Sequence, residues 1–250
     1  MTTQTVLTRS TDRKTAAAAT PNGKGVKVAN AFGLPAGRNY SCPGATPLCE
    51  KVCYAGRIEK QYKAFMQVML NNWNALRGAS YAAMVDMLSE MMSDFVAECE
   101  RKNVPAFFRI HHDGDFFSRD YAAAWANVCT LFPEVTFWVY TRSFTDTLNV
   151  IPEIVNVDNL SVYLSVDVHN KVFAENALRL FPDVKIALLA DTFAEAAIEI
   201  DGMRGDNKPG AACPELTKQI PLISDKGGAC FACGLCPKGK ADIRFAIKKR

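Results

Sequence analysis

The chain has 250 residues, and its 49% hydrophobic and 22% charged content is ordinary for a globular protein, which excludes wholesale disorder. The 29 Lys and Arg residues exceed the 26 Asp and Glu residues by only three, too few to indicate a nucleic-acid-binding protein by charge alone. The sequence has neither an apolar run long enough to span a bilayer nor the apolar core of a signal peptide, so we expect a cytoplasmic protein without membrane contact.

The first hundred residues are predicted to form a tail, a strand, a loop and two helices. Residues 1–25 are rich in Thr, Ala, Asn, Gly and Pro and lack periodicity, which predicts a flexible tail before a single domain over residues 26–250. Residues 25–32 are predicted as a first strand, and a Gly- and Pro-rich loop follows. Apolar residues spaced by three and four predict helices over residues 59–76 and 80–101.

Strands and helices alternate through the rest of the chain. Strands are predicted over residues 105–111, 135–141, 160–166 and 184–190, with a last edge strand over 219–223. Helices are predicted over residues 118–132, 144–151, 170–180 and 191–200, with a small basic helix over 242–250. Several strands are nearly continuous apolar runs, which is typical of buried parallel strands. The alternation therefore predicts an α/β fold with six strands in a parallel sheet.

Polar side chains follow the predicted strands. Because the carboxyl ends of parallel strands meet at one edge of a sheet, we expect these side chains to lie close together and to include any catalytic groups. The catalytic candidates are Arg109, His111, Asp115, Arg142, Asp167 and His169. Adjacent strand residues point to opposite faces, and His111 continues the phase of Arg109. The sequence therefore predicts that His111, rather than His112, faces the site.

The strongest local signal is the run Cys230-x2-Cys233-x2-Cys236, with Cys213 as the natural fourth member. In a reducing compartment, clustered cysteines indicate metal ligands rather than disulfides. Three thiolates in succession with a distant fourth are typical of iron–sulfur proteins, whereas zinc usually takes two separated pairs. We therefore expect an iron–sulfur cluster at these four cysteines, with a four-cysteine zinc site as the alternative.

A second group of cysteines, Cys42, Cys49 and Cys53, lies in the loop after the first predicted strand. Three such thiolates can hold three irons of a cubane and leave one iron open, which would give the chain two clusters. Alternatively, one or two of them join the C-terminal group in a single shared cluster. Cys99 and Cys129 lie in predicted helices and are expected to be small buried hydrophobic residues.

Several short motifs resemble those of the Gene product eighty-eight family of actinobacteriophages. The residues that carry this resemblance are the segments 41–45 (SCPGA), 53–55 (CYA), 111–116 (HHDGDF), 138–143 (WVYTRS) and 230–236 (CFACGLC). The resemblance extends from the first strand to the last cysteine group. It implies a phage-encoded iron–sulfur protein, located in the host cytoplasm, more than it implies a particular reaction.

The cysteine loop after strand one and the Gly-acid motif after strand two more distantly resemble the radical S-adenosylmethionine (SAM) enzymes. That resemblance implies a six-stranded partial (β/α) barrel, a four-iron cluster at the first cysteine group, and SAM held by Gly114 and Asp115. The loop spacing of six and then three residues differs from the three and two that are usual in that superfamily.

These observations favour a phage iron–sulfur protein of radical-SAM-like fold with a redox, sensing or regulatory role. A radical-SAM-like enzyme with a [4Fe-4S] cluster is one alternative, and a zinc protein that binds a nucleic acid or another protein is a second. A host or phage redox or regulatory protein is the expected partner. The basic C-terminal residues Arg244, Lys248, Lys249 and Arg250 leave a nucleic-acid partner open, although the net charge does not indicate one.

Overall fold

A computed structural model describes residues 6–19 and 25–248. Its strands are β1 (Ala17–Ala19), β2 (Gly25–Val26), β3 (Ala31–Gly33), β4 (Phe107–Asp113), β5 (Thr136–Thr141), β6 (Leu160–Val166), β7 (Lys185–Ala190), β8 (Ala211–Ala212), β9 (Ile223–Ser224), β10 (Gly227–Gly228) and β11 (Ile243–Ala246). Its α-helices are α1 (Pro47–Val52), α2 (Tyr54–Gln61), α3 (Lys63–Leu76), α4 (Tyr81–Lys102), α5 (Arg119–Leu131), α6 (Ile151–Ile154), α7 (Lys171–Leu180), α8 (Phe193–Arg204) and α9 (Ala229–Cys233).

The central feature is a parallel sheet of seven strands in the order β3-β4-β5-β6-β7-β11-β8. From β3 to β7 each strand lies beside the next one in the chain, so the crossovers add strands in one direction. In the described part of the chain the edge strands β3 and β8 do not pair with each other. The parallel α/β expectation is confirmed, and the expected six-stranded partial barrel is replaced by an open sheet of seven strands.

One face of the sheet is covered by helices. Every second side chain of the central strands enters one large apolar core, for example Phe108, Val139 and Leu164. The helices α4, α5, α7 and α8 contribute their apolar stripes to the same core, including Met92 and Trp125. None of the described helices is long and apolar enough to cross a membrane.

The opposite face carries a smaller apolar cluster of Tyr163, Ala187 and Ile243, against which Leu235 and Cys236 pack. The Tyr163 hydroxyl donates to the carbonyl oxygens of Leu235 (3.2 Å) and Ala241 (3.1 Å). The Ser161 hydroxyl donates to the carbonyl of Pro237 (3.0 Å). These bonds attach the cysteine-rich segment to β6, so this segment lies on the face that the helices leave free.

Most helices and strands after residue 80 agree with the sequence pattern. Strand β6 has the predicted limits, and α4 and α5 begin after Ser80 and Ser118, whose side chains accept hydrogen bonds from backbone N–H groups three residues on. The helix predicted over 59–76 is divided at Tyr62, whose backbone is extended (φ −121°, ψ 94°). The helix predicted over 144–151 is a turn, and only α6 follows it.

The C-terminal prediction is wrong. Residues 243–246 form β11 in the interior of the sheet rather than a basic helix, because Ile243 and Phe245 pack on the free face. Residues 249–250 lie outside the described part of the chain. The strand predicted over 219–223 is also wrong, since only β9 forms there and it pairs antiparallel with β10, away from the main sheet. Pairing within the main sheet therefore passes from β7 to β11 and then to β8.

The N-terminal residues 6–19 differ from the flexible tail expected for residues 1–25. Leu7, Thr15 and Ala16 are buried, and a 3-10 helix over Arg13–Thr15 is capped by the Asp12 side chain. The strand predicted over 25–32 consists of two short pieces, β2, which pairs with β1, and β3, which joins the main sheet. The remainder of the predicted tail, apart from Gly25, lies outside the described residues.

Candidate functional site

The first cysteine loop lies over the carboxyl edge of the sheet. The Thr46 hydroxyl accepts a hydrogen bond from the Cys49 N–H (3.0 Å) and starts α1. Cys53 ends α1 and starts α2, where its Sγ accepts from the Gly56 N–H (3.3 Å). Burial raises the pKa of the Cys42 and Cys49 thiols, and Asp115 adds to the rise at both. The three half-buried thiols therefore share one edge of the sheet.

Two glycines allow this loop to lie directly on the strand ends. A Cβ at Gly44 would be 2.1 Å from the carbonyl oxygen of Arg142. Gly114 has a φ of 80°, and a Cβ there would be 2.5 Å from Ser41 Oγ. The Ser41 hydroxyl donates to the carbonyl of Pro35 (2.7 Å). Gly114, the residue expected to hold SAM, is thus in close contact with the cysteine loop itself.

Asp115 is buried and fully hydrogen-bonded. One carboxylate oxygen accepts from the Phe116 N–H and the Thr141 hydroxyl, and the other accepts from the Arg142 N–H, each at 2.7 Å. Burial raises the pKa of Asp115 to about 6, although these hydrogen bonds oppose the rise. Asp115 therefore connects the ends of β4 and β5, and its oxygens are engaged by the protein.

Arg142 and Asp167 form a buried ion pair at the same edge, with 2.7 Å between Nη1 and Oδ2. The Thr46 hydroxyl donates to the same Asp167 oxygen, and the second oxygen accepts from the His169 N–H (2.9 Å). Asp167 thus joins the start of α1 to the end of β6. Together with Asp115, these catalytic candidates hold the cysteine loop in place, while the side chain of His169 is exposed.

Both adjacent histidines face the helices rather than the carboxyl edge. His111 has a φ of 57°, which interrupts the strand alternation, and its Nε2 lies 3.0 Å from the Tyr121 hydroxyl. His112 stacks on Phe65 with 5.8 Å between ring centroids. Burial lowers the pKa of His111 to about 3 and that of His112 to about 4, so both rings are neutral at physiological pH. The expected direction of His111 is therefore corrected.

Asp113 is a polar group that the candidate set lacks. The residue is 3% exposed, and neither carboxyl oxygen has a hydrogen-bond partner among the described residues. Burial and the neighbouring Glu59 raise the pKa of Asp113. The sequence contains its signal, because Asp113 precedes Gly114 in the same acidic turn, but its burial depends on the tertiary fold.

The C-terminal cysteines are grouped around Cys236 on the free face of the sheet. Cys230 and Cys233 belong to α9, which ends at Gly234 in a left-handed conformation. Burial raises the pKa of Cys230 to about 12, with a further contribution from Cys236. Burial also raises the pKa of Cys236 to about 11, with Cys213 and Cys233 adding to the rise. Cys213 and Cys236 also pack against the same small apolar cluster of the free face.

Two cations face the C-terminal group. The Arg109 guanidinium pairs with Asp12 (3.0 Å between Nη1 and Oδ2) and interacts electrostatically with Cys230. The Lys14 ammonium pairs with Glu215 (2.8 Å) and interacts with the same thiol. The N-terminal segment packs directly against the start of α9. The Gly228 N–H donates to the Ala16 carbonyl (2.9 Å), and a Cβ at Gly228 would be 2.3 Å from the Arg13 carbonyl oxygen.

The nine cysteines, all in the described part of the chain, are free thiols. Cys99 and Cys129 are buried in α4 and α5, as expected, while the seven motif cysteines are half-buried. Among the described residues, no three His, Cys, Asp or Glu side chains are arranged so that they could hold one metal ion. The two cysteine groups also lie in different places, one at the carboxyl edge and the other on the free face.

The fold and the site define an open parallel α/β protein with two cysteine groups, one held over the strand ends and one set among cations. The chain belongs to the Gene product 88 family, whose model matches residues 5–239. It is similar to the Gene 88 protein of Mycobacterium phage L5, with 43% identity over 249 residues, which cover 98% of this chain and 99% of that protein.

The Gene 88 protein of Mycobacterium phage D29 is also 43% identical, over 248 residues that cover 98% of this chain and 99% of the relative. No solved structure matched the chain. The expected phage family is therefore confirmed, and these matches give no support to the radical SAM resemblance.

Proposed function

We propose that this chain is an iron–sulfur protein in which Cys213, Cys230, Cys233 and Cys236 hold the cluster, with a redox, sensing or regulatory role. The observation that carries the proposal is the group of four half-buried thiols around Cys236. A cluster with four thiolate ligands is anionic, and a buried group of anions needs positive charge nearby. The cations described above are in the right place to supply it.

The thiol pKa values argue against a metal-free thiol catalyst. A reactive cysteine works as its thiolate and has a pKa lowered towards neutrality. Burial instead raises the pKa of Cys230 to about 12 and that of Cys236 to about 11. Such thiols are protonated and slow as nucleophiles at neutral pH. A metal would displace their protons, and the binding energy of the metal would stabilise the thiolate form.

The four cysteines are suitable ligands for a thiolate-bound metal, although among the described residues their sulfur atoms are not arranged to hold one metal ion. Metal binding would therefore require the cysteine side chains to rotate, and Gly234, whose left-handed backbone suits glycine, lets the chain turn tightly between Cys233 and Cys236. A bound iron–sulfur cluster would supply one-electron transfer at a potential set by local charge, hydrogen bonds and exposure. The same four thiolates would also suit tetrahedral zinc, which is the alternative.

A second candidate function, a radical-SAM-like enzyme, is favoured by one observation. The first cysteine loop lies at the carboxyl edge of a parallel sheet, where the catalytic groups of α/β proteins are found. Cys49 and Cys53 interact electrostatically there. However, both carboxylate oxygens of Asp115 already accept protein hydrogen bonds, so SAM would need other contacts.

The test is purification without oxygen, followed by measurement of iron, acid-labile sulfide and zinc per chain, with EPR of the reduced protein. We expect a brown protein that contains both iron and sulfide. Cys236→Ser should lose the iron of the C-terminal group, whereas Cys129→Ala, a control at a buried helical cysteine, should keep it. A colourless protein with one zinc per chain from iron-replete cells would refute the iron–sulfur proposal.

The two cysteine groups are distinguished by a further pair of measurements. Because Cys49 lies over the carboxyl edge and Cys236 packs on the free face, Cys49→Ser should leave the iron of the C-terminal group in place. If Cys49→Ser and Cys236→Ser each remove nearly all of the iron, the chain holds a single shared cluster. A change in the EPR signal on addition of SAM that depends on Cys49 would support the second candidate.

A further inference from the structure

A connected set of polar side chains runs between the two cysteine groups. Tyr54 follows Cys53 directly, and its hydroxyl accepts a hydrogen bond from Arg109 Nη2 (3.4 Å). The Arg109 guanidinium lies 5.5 Å from the centre of the Tyr140 ring. Tyr140 in turn packs against the same small apolar cluster on the free face as Cys236. Arg109 therefore lies between the first cysteine loop and the C-terminal group.

Arg109 has a buried hydrogen-bond donor that its present contacts do not use. Its Nη1 pairs with Asp12 (3.0 Å) and its Nη2 reaches Tyr54, but its buried Nε has no hydrogen-bond partner among the described residues. An unpaired donor on a buried cation is unfavourable unless an acceptor or an anion is close. The C-terminal cysteines lie on this side of the sheet, because Phe107, two residues before Arg109 on the same face of β4, packs against Phe231, the neighbour of Cys230, with 5.2 Å between ring centroids.

We propose that Arg109 is a positioning residue that balances the charge of the C-terminal cysteine group and connects that group to the first cysteine loop through Tyr54. This inference rests on the proposed function, because it assumes that a metal binds at Cys236 and its neighbours. When a metal binds, each thiol that becomes a ligand releases one proton to solvent, and the negative charge left on the sulfurs faces the guanidinium.

A lysine at position 109 would keep the positive charge but would lose the link between the two cysteine groups. The planar guanidinium binds Asp12 and Tyr54 through different nitrogens while it stacks on Tyr140, and an ammonium cannot hold all three contacts at once. Arg109→Lys should therefore keep more of the metal affinity than Arg109→Gln. Tyr54→Phe removes only the contact with the first loop and leaves the charge unchanged.

The chain offers a matched control in Arg9. Its guanidinium also pairs with a carboxylate, Glu98 (2.8 Å), and also lies over an aromatic ring, 5.6 Å from the centre of Phe95. It has the same kinds of contact as Arg109 but makes them to α4, outside both metal-binding groups. Arg9→Gln thus reports the general effect of losing a half-buried, stacked arginine.

The experiment measures the affinity of the full-length protein for Co²⁺, whose thiolate complexes absorb visible light, by competition with a chelator. The signal of the C-terminal group is the part that Cys236→Ser abolishes. Arg109→Gln should weaken this affinity by about 10–100-fold, as is usual when a residue that orients metal ligands is lost. Tyr54→Phe should weaken it several-fold, and Arg9→Gln should leave it unchanged. Thermal unfolding of the metal-free variants checks that each one folds.

The outcomes separate this inference from the proposed function. If the wild-type protein shows neither a Cys236-dependent Co²⁺ signal nor Cys236-dependent iron and sulfide, the proposed function fails. If it holds iron and sulfide but not Co²⁺, the same variants are compared by their iron and sulfide content. If the wild-type protein binds Co²⁺ there and Arg109→Gln binds as tightly as Arg9→Gln, the role of Arg109 is refuted. If Arg109→Gln is weakened while Tyr54→Phe equals the wild type, the charge balance stands and the connection to the first loop is refuted.

Discussion

Replacement of Gly44 by alanine tests whether the first cysteine loop really lies against the end of β5. The new Cβ would be 2.1 Å from the carbonyl oxygen of Arg142 and 2.6 Å from its carbonyl carbon, far inside ordinary contact at about 3.5 Å. Both obstructing atoms belong to buried backbone, which cannot turn away as a flexible side chain can. Overpacking usually costs about 1–3 kcal/mol, and we expect Gly44→Ala to lower the free energy of unfolding by about 3 kcal/mol.

For a chain of this length, that loss should lower the melting temperature by about 6–12 °C. The displaced loop should also expose Cys42, so its alkylation by iodoacetamide should be faster than in the wild type. Gly78→Ala is the control, because a Cβ there has no atom within 4 Å in the described structure and should be neutral or slightly stabilising. Equal melting temperatures and alkylation rates in the two variants would show that the loop does not lie on β5 as described.

Three further predictions concern single side chains. Burial raises the pKa of Asp115 from 3.8 to about 6 in the folded chain, so between these values the folded state binds this proton and the unfolded state does not. The free energy of unfolding should therefore fall by up to about 3 kcal/mol as the pH rises from about 4 to about 6. Denaturant titrations at both pH values should show this fall reduced in Asp115→Asn, and equal falls would contradict the burial of this carboxyl group. Thr46→Val removes the cap of α1 and the bond to Asp167 and should cost about 2 kcal/mol, whereas Thr46→Ser should stay near the wild type in the same titrations. Cys99→Ala and Cys129→Ala should leave the metal content unchanged in elemental analysis, and iron loss from a folded variant would contradict the division of the cysteines.

Local signals explain which parts of the fold the sequence could predict. Helix α4 has a serine cap at Ser80 and an apolar stripe from Met84 to Cys99, and both are visible in the sequence. Strand β6 is an apolar run between turn residues. In such segments the local pattern and the tertiary contacts favour the same structure, so the pattern is sufficient.

The wrong predictions fall where tertiary contacts decide the structure. The charged C-terminal residues have the composition of a solvated helix, but strand pairing buries Ile243 between β7 and β8 and packs the half-buried Phe245 on the free face. Within β4, His111 has a positive φ, which is uncommon for any residue other than glycine and leaves no mark in the strand pattern, so strand alternation gave the wrong direction. Closure of a barrel depends on contacts between β3 and β8, which no local pattern contains.

The candidate site shows the same division between local and distant information. Cysteine spacing is a local signal, and it identified both groups and set apart Cys99 and Cys129. The cations are a different case, because Asp12 and Arg109 are 97 residues apart and Lys14 and Glu215 are 201 apart. Pairs at such distances in the sequence are recognised only when the fold brings them together. Composition alone indicated a flexible tail where Asp12 and Lys14 lie.

The weak apolar packing of the cysteine-rich segment leads to a last prediction. This segment rests on a cluster with only three fully buried members, whereas α5 contributes Trp125 and its neighbours to the large core. Under the proposed function, the energy of metal binding supplies much of what holds the segment in place. Removal of the metal by a chelator should therefore speed amide hydrogen exchange in residues 229–240 and leave exchange in α5 nearly unchanged. Equal acceleration in both places would mean global destabilisation, and no change in either would mean that the metal does not order this segment.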